Sequence, residues 1–279
     1  MTPVDTTART CIGCIYSLVG DLKEGIMSVA SIDVPRWDGP LPSRGEVAKM
    51  IDHSLLRPEL TPTEVEDGLA TALEYRTASV CVRPADVPVA AAALRGSQVA
   101  VGTVVGFPHG GSTTAAKVFE TTEAISLGAE EIDMVINIGR LRGGDIAFVQ
   151  DEIAVVVRAA EGRPVKVIFE NAYLTDHEKT SGYKAAEAAG AAFVKTGTGF
   201  APGGATAADI ALMRRTVSSH VQVKAAGGVR TLDALLELRR LGATRFGATA
   251  TAAILDDLQG RYEGNAPVAD TAGSAGAGY

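Results

Sequence analysis

The sequence has few aromatic residues, few cysteines and no long hydrophobic run. Aromatic residues make up 5% of the 279 positions, and three cysteines cannot all pair in disulfides. The longest apolar stretches, such as VAVGTVVGF, are much shorter than the roughly 20 residues that cross a bilayer. The N-terminal region also lacks the basic segment and sustained apolar core of a secretion signal. We therefore expect a cytoplasmic protein that does not bind membranes.

The sequence also has no excess of basic charge. It contains 26 lysines and arginines against 33 acidic residues, which gives a net charge of −7. General nucleic-acid binders concentrate basic residues to displace counterions from phosphates, so nucleic acid is not an expected partner. Any contact with a phosphate group should be local. The hydrophobic fraction of 46% is sufficient for one large globular domain or two small ones.

Patterns typical of metal sites are missing as well. The four histidines are scattered and form no HxH or HExxH motif. Cys11 and Cys14 form a C-x-x-C pair, but no second ligand pair follows at zinc spacing and no strand precedes them. We expect no metal ion, and interpret the residues before Met27 as an extension that is poorly ordered.

From Glu46 onward, short β-type runs alternate with amphipathic helical segments. The predicted strands are AKMIDHSLL, ASVCV, VAVGTVVGF, EEIDMVIN, PVKVIFE, AAFVKT, VQVKAA and TRFGA. The predicted helices begin near Pro62, Pro84, Thr113, Asp145, Thr175, Thr206, Thr231 and Thr249. Eight such units without a GxGxxG fingerprint favour an α/β fold of the (β/α)8 TIM-barrel class over a doubly wound sheet.

The same pattern divides the chain into one domain with two appendages. Residues 1–45 are predicted to be an N-terminal extension, residues 46–262 the barrel, and residues 263–279 a flexible C-terminal tail. Barrels carry their chemistry at the C-terminal ends of the strands. Polar residues at those ends are therefore the candidates for function.

Two neighbouring strands end in a lysine, Lys195 after the sixth strand and Lys224 after the seventh. Lysine is rarely buried, and two ammonium groups that face one cavity repel each other unless one loses its proton. A neutral amine beside a second cation can attack a carbonyl carbon and form a Schiff base. The alternative is that each lysine extends to solvent or pairs with a carboxylate for structural reasons.

Two aspartates lie within the predicted strands. Alternation places Asp133 on the side of its strand opposite to Ile132 and Met134, so it needs a polar partner. It could transfer protons between water and a bound imine, or it could form a structural ion pair with Lys224. The same two interpretations apply to Asp52 on the first strand.

Three glycine-rich loops follow strands six, seven and eight, where barrels commonly bind phosphate groups. The candidate phosphate contacts are Gly199, Gly227, Gly228, Thr249 and Thr251. Each loop alone is weak evidence, because barrel turns use glycine in any case, but all three are predicted at the same end of the barrel. Cys81, which lies in a strand, is most simply a small core residue.

The chain resembles the deoxyribose-phosphate aldolases. The resemblance rests on an ordered series of motifs, DHSLL, VCVRP, VVGFPHG, EIDMVINIG, VKVIFENAYL, FVKTGTGF, VKAAGGVRT and RFGAT, from about Ala48 to Leu258. It implies a cofactor-free class I aldolase that reversibly cleaves 2-deoxy-D-ribose 5-phosphate to acetaldehyde and D-glyceraldehyde 3-phosphate. Small-molecule aldehydes and sugar phosphates are then the expected partners, with a homodimer or homotetramer as the expected assembly.

The resemblance also assigns roles to residues. Lys195 is implied to form the Schiff base, Lys224 to favour its neutral amine, and Asp133 to act with a water in proton transfer. Some members of the family end in a tyrosine that assists proton transfer at the enamine carbon, which assigns that role to Tyr279. The predicted substrate-binding residues are Asp52, Ser54, Cys81, Thr198, Gly199, Gly227, Gly228 and Thr249.

Several positions depart from the family pattern. Gly197 replaces a serine, Asn171 follows Glu170 where the family has threonine, and His109 replaces a leucine. Paired serines after strand eight are replaced by Thr249 and Ala250, and some members have a lysine at the position of Phe200. These changes remove polar contacts to phosphate, so we expect a weaker dependence on the substrate phosphate.

Two other functions fit the same residues. The first is a related barrel lyase that uses Lys195 on another aldehyde or on a 2-keto substrate, since Schiff-base chemistry requires only a carbonyl. The second is a catalytically silent barrel that acts as a binding module. The presence of Lys195, Lys224 and Asp133 together argues against the silent barrel.

Overall fold

Strands and helices alternate along residues 37–268, the part of the chain that the computed structural model describes. The strands are β1 (Ile51–Leu55), β2 (Ser79–Val82), β3 (Ala100–Val105), β4 (Glu131–Val135), β5 (Val165–Ile168), β6 (Phe193–Lys195), β7 (Gln222–Ala226) and β8 (Arg245–Ala248). The helices are α1 (Arg44–Ala48), α2 (Pro62–Tyr75), α3 (Val87–Ala93), α4 (Thr114–Ser126), α5 (Ile138–Arg142), α6 (Ile146–Ala159), α7 (Asp176–Ala188), α8 (Ala207–Thr216), α9 (Leu232–Arg240) and α10 (Thr251–Tyr262). Single 3₁₀ turns lie at Pro84–Asp86 and Asn171–Tyr173.

The eight strands pair in sequence order, all parallel, and β8 pairs with β1 to close a barrel. The predicted (β/α)8 TIM barrel is confirmed. In the register, Lys195 on β6 lies beside Lys224 on β7, and Lys224 lies beside Arg245 on β8. Register partners on adjacent parallel strands face the same side of the sheet, so these three cations share one side of it.

Threonine N-caps begin several helices where the sequence predicted them. Thr61 and Thr175 accept hydrogen bonds from the third helical N–H group of α2 and α7, and a glutamate at that position completes a capping box in each. The predicted start near Thr249 is two residues early, because α10 begins at Thr251. The short helices α1 and α5 were not predicted.

The first predicted strand, AKMIDHSLL, begins too early. Its first residue, Ala48, is the last residue of α1, and β1 begins at Ile51. The cause is a capping box, in which Ser43 Oγ accepts the N–H of Glu46 and Glu46 Oε2 accepts the N–H of Ser43. The serine–glutamate spacing that signals this box is visible in the sequence.

Residues 37–43 lie against the last two helices. The Trp37 N–H donates to Asp233 Oδ1 on α9 at 3.0 Å, and the hydroxyl of Tyr262 on α10 donates to the Pro42 carbonyl at 2.9 Å. Residues of the predicted N-terminal extension thus contact the barrel helices, and the domain boundaries at residues 46 and 262 stay a prediction. No helix within residues 37–268 is both long and apolar enough to cross a membrane.

A buried ion pair lies between α4 and α6, outside the barrel. Lys117 Nζ is 2.9 Å from Glu152 Oε2 and donates to the Val135 carbonyl at 2.8 Å. The same carboxylate oxygen accepts the N–H of Asn137 at 3.1 Å. Burial lowers the pKa of Lys117, although Glu152 opposes the effect. This pair fixes both helices to the end of β4.

Candidate active site

Lys195 and Lys224 share one carboxylate oxygen inside the barrel. Each Nζ atom lies 2.7 Å from Asp133 Oδ2. Both lysines are 1% exposed and Asp133 is fully buried. The structure therefore brings together three of the four residues that the sequence predicted as catalytic, and the fourth, Tyr279, lies outside the described residues. It also forms the ion pair between Asp133 and Lys224 that was the alternative interpretation of this aspartate.

Asp52 joins the same cluster from β1. Its Oδ2 atom is 2.6 Å from Lys224 Nζ, and its Oδ1 atom is 2.6 Å from an Arg245 guanidinium nitrogen. Ser79 Oγ donates to Oδ1 at 2.7 Å. Protein groups contact both oxygens, so Asp52 lies in the charged cluster beside Lys224, and its predicted contact with substrate stays a prediction.

Three further charged residues of this cluster were missed by the sequence reasoning. Lys166 Nζ lies 2.9 Å from Asp133 Oδ1 and 2.6 Å from Glu131 Oε2. Arg245 lies 3.3 Å from Glu131. A signal was present, since Glu131 precedes Asp133 by two residues and Lys166 alternates with apolar residues in VKVI.

The cluster contains more cations than carboxylates. Its members are Lys166, Lys195, Lys224 and Arg245 against Asp52, Glu131 and Asp133. Burial alone would raise the pKa of Asp133, but Lys166, Lys195 and Lys224 hold it well below its usual value. Burial would likewise raise the pKa of Asp52, and Lys224, Lys166 and Arg245 hold it far below. With every group ionised, four positive charges against three negative charges leave one charge in excess.

The loss of one proton would balance this cluster. Arg245 keeps its proton at any ordinary pH. Burial disfavours the ammonium of Lys166, but Asp133, Asp52 and Glu131 outweigh that effect and raise its pKa. Lys195 and Lys224 are the two lysines that share Asp133 Oδ2. The arrangement places an amine at the end of β6, the position from which a lysine in its neutral form can attack a carbonyl carbon.

Cys81 and Ser54 lie on the neighbouring strands β2 and β1, at register partners. Burial, together with the charge of Asp133, raises the pKa of Cys81 to about 11, so the thiol is protonated at neutral pH. Cys81 packs with Leu56 and Val104 in a small apolar cluster. Both residues are buried, as the sequence interpretation of Cys81 as a small core residue requires.

The glycine-rich loops after β7 and β8 line one pocket. Its lining residues are Gly227, Gly228, Val229, Arg230, Gly247, Ala248 and Thr249. Gly227 and Gly228 have φ angles of +89° and +78°, a conformation that favours glycine. Thr251, in contrast, is fully buried and lies 2.8 Å from His53 Nδ1. Thr249 therefore lines the pocket and Thr251 is held within the protein.

The loop after β6 holds Thr198 and Gly199. The Thr198 side chain is fully buried, and its hydroxyl donates to Glu170 Oε2 and accepts the Phe200 N–H at 3.0 Å. Phe200 stacks edge-to-face on Phe107, with ring centroids 5.4 Å apart. An aromatic pair thus joins the loops after β3 and β6. Tyr279, Cys11 and Cys14 lie outside the described residues.

Comparisons with known proteins assign the barrel to a family. Residues 46–259 match the family model described as DeoC/LacD family aldolase. The chain belongs to the DeoC/LacD aldolase family. It is 51% identical over 216 residues to a deoxyribose-phosphate aldolase of Bacillus mycoides, across 77% of this chain and 97% of that one. It is 52% identical over 211 residues to deoxyribose-phosphate aldolase 1 of Staphylococcus aureus, across 76% of this chain and 96% of that one.

A solved structure shares the fold. The tetrameric deoxyribose phosphate aldolase of Aeropyrum pernix superposes with a TM-score of 0.73 at 25% identity, covering 78% of this chain and 92% of that one. Membership of the DeoC/LacD family makes this protein a lyase that acts on small molecules, a class I aldolase that works through a lysine Schiff base. Both the resemblance noted in the sequence and the predicted enzyme class are confirmed.

Proposed function

We propose that this aldolase reversibly cleaves 2-deoxy-D-ribose 5-phosphate to acetaldehyde and D-glyceraldehyde 3-phosphate, with Lys195 as the Schiff-base residue. The observation that carries the proposal is the shared contact of Lys195 and Lys224 with Asp133 Oδ2, at 2.7 Å each. The surplus cation in the cluster favours one neutral amine. Curated relatives named for this aldolase at about half identity support the substrate.

The reaction would proceed in four steps. The neutral amine of Lys195 attacks the C1 carbonyl, and water leaves to give a protonated imine. The C3 hydroxyl then loses its proton, and the C2–C3 bond breaks, so that its electron pair forms an enamine and glyceraldehyde 3-phosphate departs. Protonation of the enamine carbon regenerates the imine, and water hydrolyses it to acetaldehyde.

Three groups have proposed roles in these steps. Asp133 would act with a water in moving protons to and from the imine, from its position against both lysines. Lys224 would keep Lys195 neutral by competing for the same carboxylate oxygen. Asp52 would hold Lys224 in place through its contact at 2.6 Å.

Borohydride trapping tests the proposal directly. The enzyme is incubated with acetaldehyde and reduced, and the modified peptide is identified by mass spectrometry. We expect a single reduced adduct on Lys195. An adduct on another lysine, or none, would contradict the assignment, and substrate profiling against 2-keto acids would then test the related lyase function.

We also propose that the substrate phosphate contributes less to kcat/KM in this enzyme than the resemblance to the family implies. The pocket lined by Gly227, Gly228 and Thr249 keeps backbone groups for an anion, but Thr249 and Ala250 stand where the family pattern has paired serines. Phe200 stands beside Phe107 where some relatives of the family carry a lysine. The test compares kcat/KM for deoxyribose and for its 5-phosphate. A preference above about 10⁴-fold for the phosphate, on the order of 5 kcal/mol, would contradict a weakened site.

Tyr279 is proposed to assist proton transfer at the enamine carbon. Deletion of Tyr279 should slow the exchange of acetaldehyde methyl protons with deuterated solvent and spare the reduced adduct on Lys195. NMR follows the exchange and mass spectrometry follows the adduct. Unchanged exchange would leave Tyr279 without a catalytic role.

The assembly is proposed to be a homodimer or homotetramer. A tetrameric relative from Aeropyrum pernix supports this expectation. Light scattering on the purified protein measures the mass, and a monomer at all concentrations would contradict it. The cytoplasmic location stays a prediction from the sequence.

A further inference from the structure

Glu170 is a buried carboxylate that the steps above do not use. It follows β5 at the C-terminal end of the barrel, has a φ angle of +54°, and is 5% exposed. Burial raises its pKa, while the contacts with Thr198 and the charge of Lys195 oppose the shift. A non-glycine residue in the left-handed region and a buried carboxylate are each costly, so both require compensating contacts.

The side-chain hydrogen bonds of Glu170 go to the loop after Lys195. The Thr198 N–H donates to its Oε1 and Oε2 atoms at 3.2 Å and 3.1 Å, and the Thr198 hydroxyl donates to Oε2. A Cβ atom at Gly197 would lie 2.5 Å from Oε1. The glycine thus leaves room for the carboxylate to reach the backbone of the loop.

These contacts extend the pairing of two strands beyond their ends. Strand β6 has three residues, and Lys195 is the last of them. The Phe169 N–H donates to the Lys195 carbonyl at 3.1 Å, and the Asn171 N–H donates to the Thr196 carbonyl at 2.9 Å. Glu170 supplies the next link, from its side chain to Thr198. On the other side of β6 the loop has a separate support, because the Thr196 hydroxyl donates to the Ala226 carbonyl of β7 at 2.8 Å.

The chain of contacts reaches the mouth of the barrel. Thr198 Oγ1 accepts the N–H of Phe200, whose ring packs on Phe107. The amine of Lys195, in contrast, is held by Asp133 on β4. Glu170 and Asp133 therefore fix two different parts of the same segment, the loop and the amine.

We propose that Glu170 is a positioning residue for the aldolase reaction, which fixes Thr198 and the loop through Phe200 against β5 so that the loop can hold the substrate. The proposal rests on the proposed function, in which Lys195 forms the imine. Glu170 is expected to affect substrate binding, and the charged cluster around Asp133 is expected to govern imine formation.

A double-mutant cycle tests it with KM and kcat for deoxyribose 5-phosphate as readouts. We expect Glu170→Ala to raise KM about tenfold and to change kcat less than threefold. The loop would then bind the substrate and the transition state more weakly by the same amount, which raises KM and leaves kcat nearly unchanged. Glu170→Gln retains an oxygen that can accept the Thr198 N–H and should raise KM less than threefold. A Thr198→Val background removes the hydroxyl contact and keeps the two backbone N–H contacts, so Glu170→Ala should there raise KM by clearly less than the tenfold expected in wild type.

Control measurements separate this role from simple stability. Glu64 accepts the N–H and hydroxyl of Thr61 in the cap of α2, the same pair of contacts at another place, so Glu64→Ala should not change KM. Thermal melting shows whether each variant is folded at the assay temperature. If Glu170→Ala does not fold, Thr198→Val alone must raise KM with kcat retained.

Three outcomes would overturn the proposal. The first is an equal rise in KM on Glu170→Ala in both backgrounds, and the second is a lowered melting temperature with unchanged KM. The third is a loss in Glu170→Gln as large as in Glu170→Ala, which would mean that charge rather than position matters. Borohydride trapping with acetaldehyde is run on each variant. If wild type forms the adduct at Lys195 and any of these outcomes is seen, only the role of Glu170 is rejected. If wild type forms no adduct at Lys195, the proposed function itself is rejected.

Discussion

Lys117 and Lys195 are both buried lysines in contact with a carboxylate, yet their surroundings differ. Lys117 has its own partner in Glu152 and also donates to the Val135 carbonyl. Lys195 shares a single oxygen of Asp133 with Lys224, in a cluster where cations outnumber carboxylates. Burial is common to both sites, and the count of nearby charges is what differs.

The difference shows what makes a buried lysine suitable for chemistry. An ammonium group that has a carboxylate and a carbonyl to itself among the lysines serves to hold elements together. Two ammonium groups that share one carboxylate oxygen repel each other, so that oxygen holds each of them less firmly. The following four predictions test this comparison, from the largest expected effect to the smallest.

The largest effect is expected from Lys195→Met. Without an amine at this position no imine can form, so kcat/KM should fall by about 10⁴-fold or more, roughly 5.5 kcal/mol of transition-state stabilisation. Steady-state kinetics and borohydride trapping measure the loss, and circular dichroism confirms folding. A trapped adduct on Lys224 in this variant would show that the two lysines are interchangeable.

Lys117→Met should affect stability and spare the chemistry. Removal of one partner from a buried pair leaves Glu152 uncompensated, so the free energy of unfolding should fall by about 3–5 kcal/mol. Urea denaturation measures the change, and trapping should still place the adduct on Lys195. The matched control is Lys184→Met, at an exposed lysine of α7, which should change neither. Loss of the adduct in folded Lys117→Met protein would refute the separation of the two sites.

Lys224→Met should lower kcat/KM by about 10²-fold near pH 7. Without this cation, three positive charges face three negative charges, and Lys195 is the one lysine left in contact with Asp133 Oδ2. Borohydride trapping rates measure the loss, and Lys224→Arg, which keeps the charge, should lose less. Equal losses in Lys224→Arg and Lys224→Met would show that the charge of Lys224 is not what matters.

The smallest effect concerns acid stability. Asp52 has a pKa held far below its usual value in the folded protein, so on acidification the unfolded chain takes up the proton first, near pH 4. Its contribution to stability is therefore present above about pH 4 and is lost as the pH falls further. The drop in unfolding free energy from pH 6 to pH 3 should be about 1 kcal/mol smaller in Asp52→Asn than in wild type. Equal drops in urea titrations at the two pH values would show that Asp52 is not a main source of the acid sensitivity.

Sequence patterns predicted the barrel and brought out two lysines that lie together in it. Alternation of strands and helices predicted the closed eight-stranded order, and Lys195 and Lys224 lie side by side, although Lys224 is the third of the five residues of β7 and does not follow the strand as expected. Asp133 followed from its apolar neighbours in the strand. These inferences use local periodicity and the general rule that barrel chemistry lies at strand ends.

The residues that were missed depend on contacts between distant parts of the chain. Arg245 meets Asp52 across the closing pair of strands, 193 residues apart in sequence. Lys166 and Glu131 lie near the beginnings of their strands, where attention to strand ends overlooks them. Glu170 needs a left-handed backbone to reach Thr198, which no periodicity signals.

Lys195 lies beside Lys224, and Lys224 beside Arg245, because β6, β7 and β8 pair in this register. The surroundings of the Lys195 amine therefore depend on strand register. A slip of one residue in β6 would turn Lys195 away from the cavity, even with every helix intact. Imine formation is therefore a local reporter of barrel integrity. During gradual denaturation it should disappear with strand pairing, whether or not the helical signal has changed.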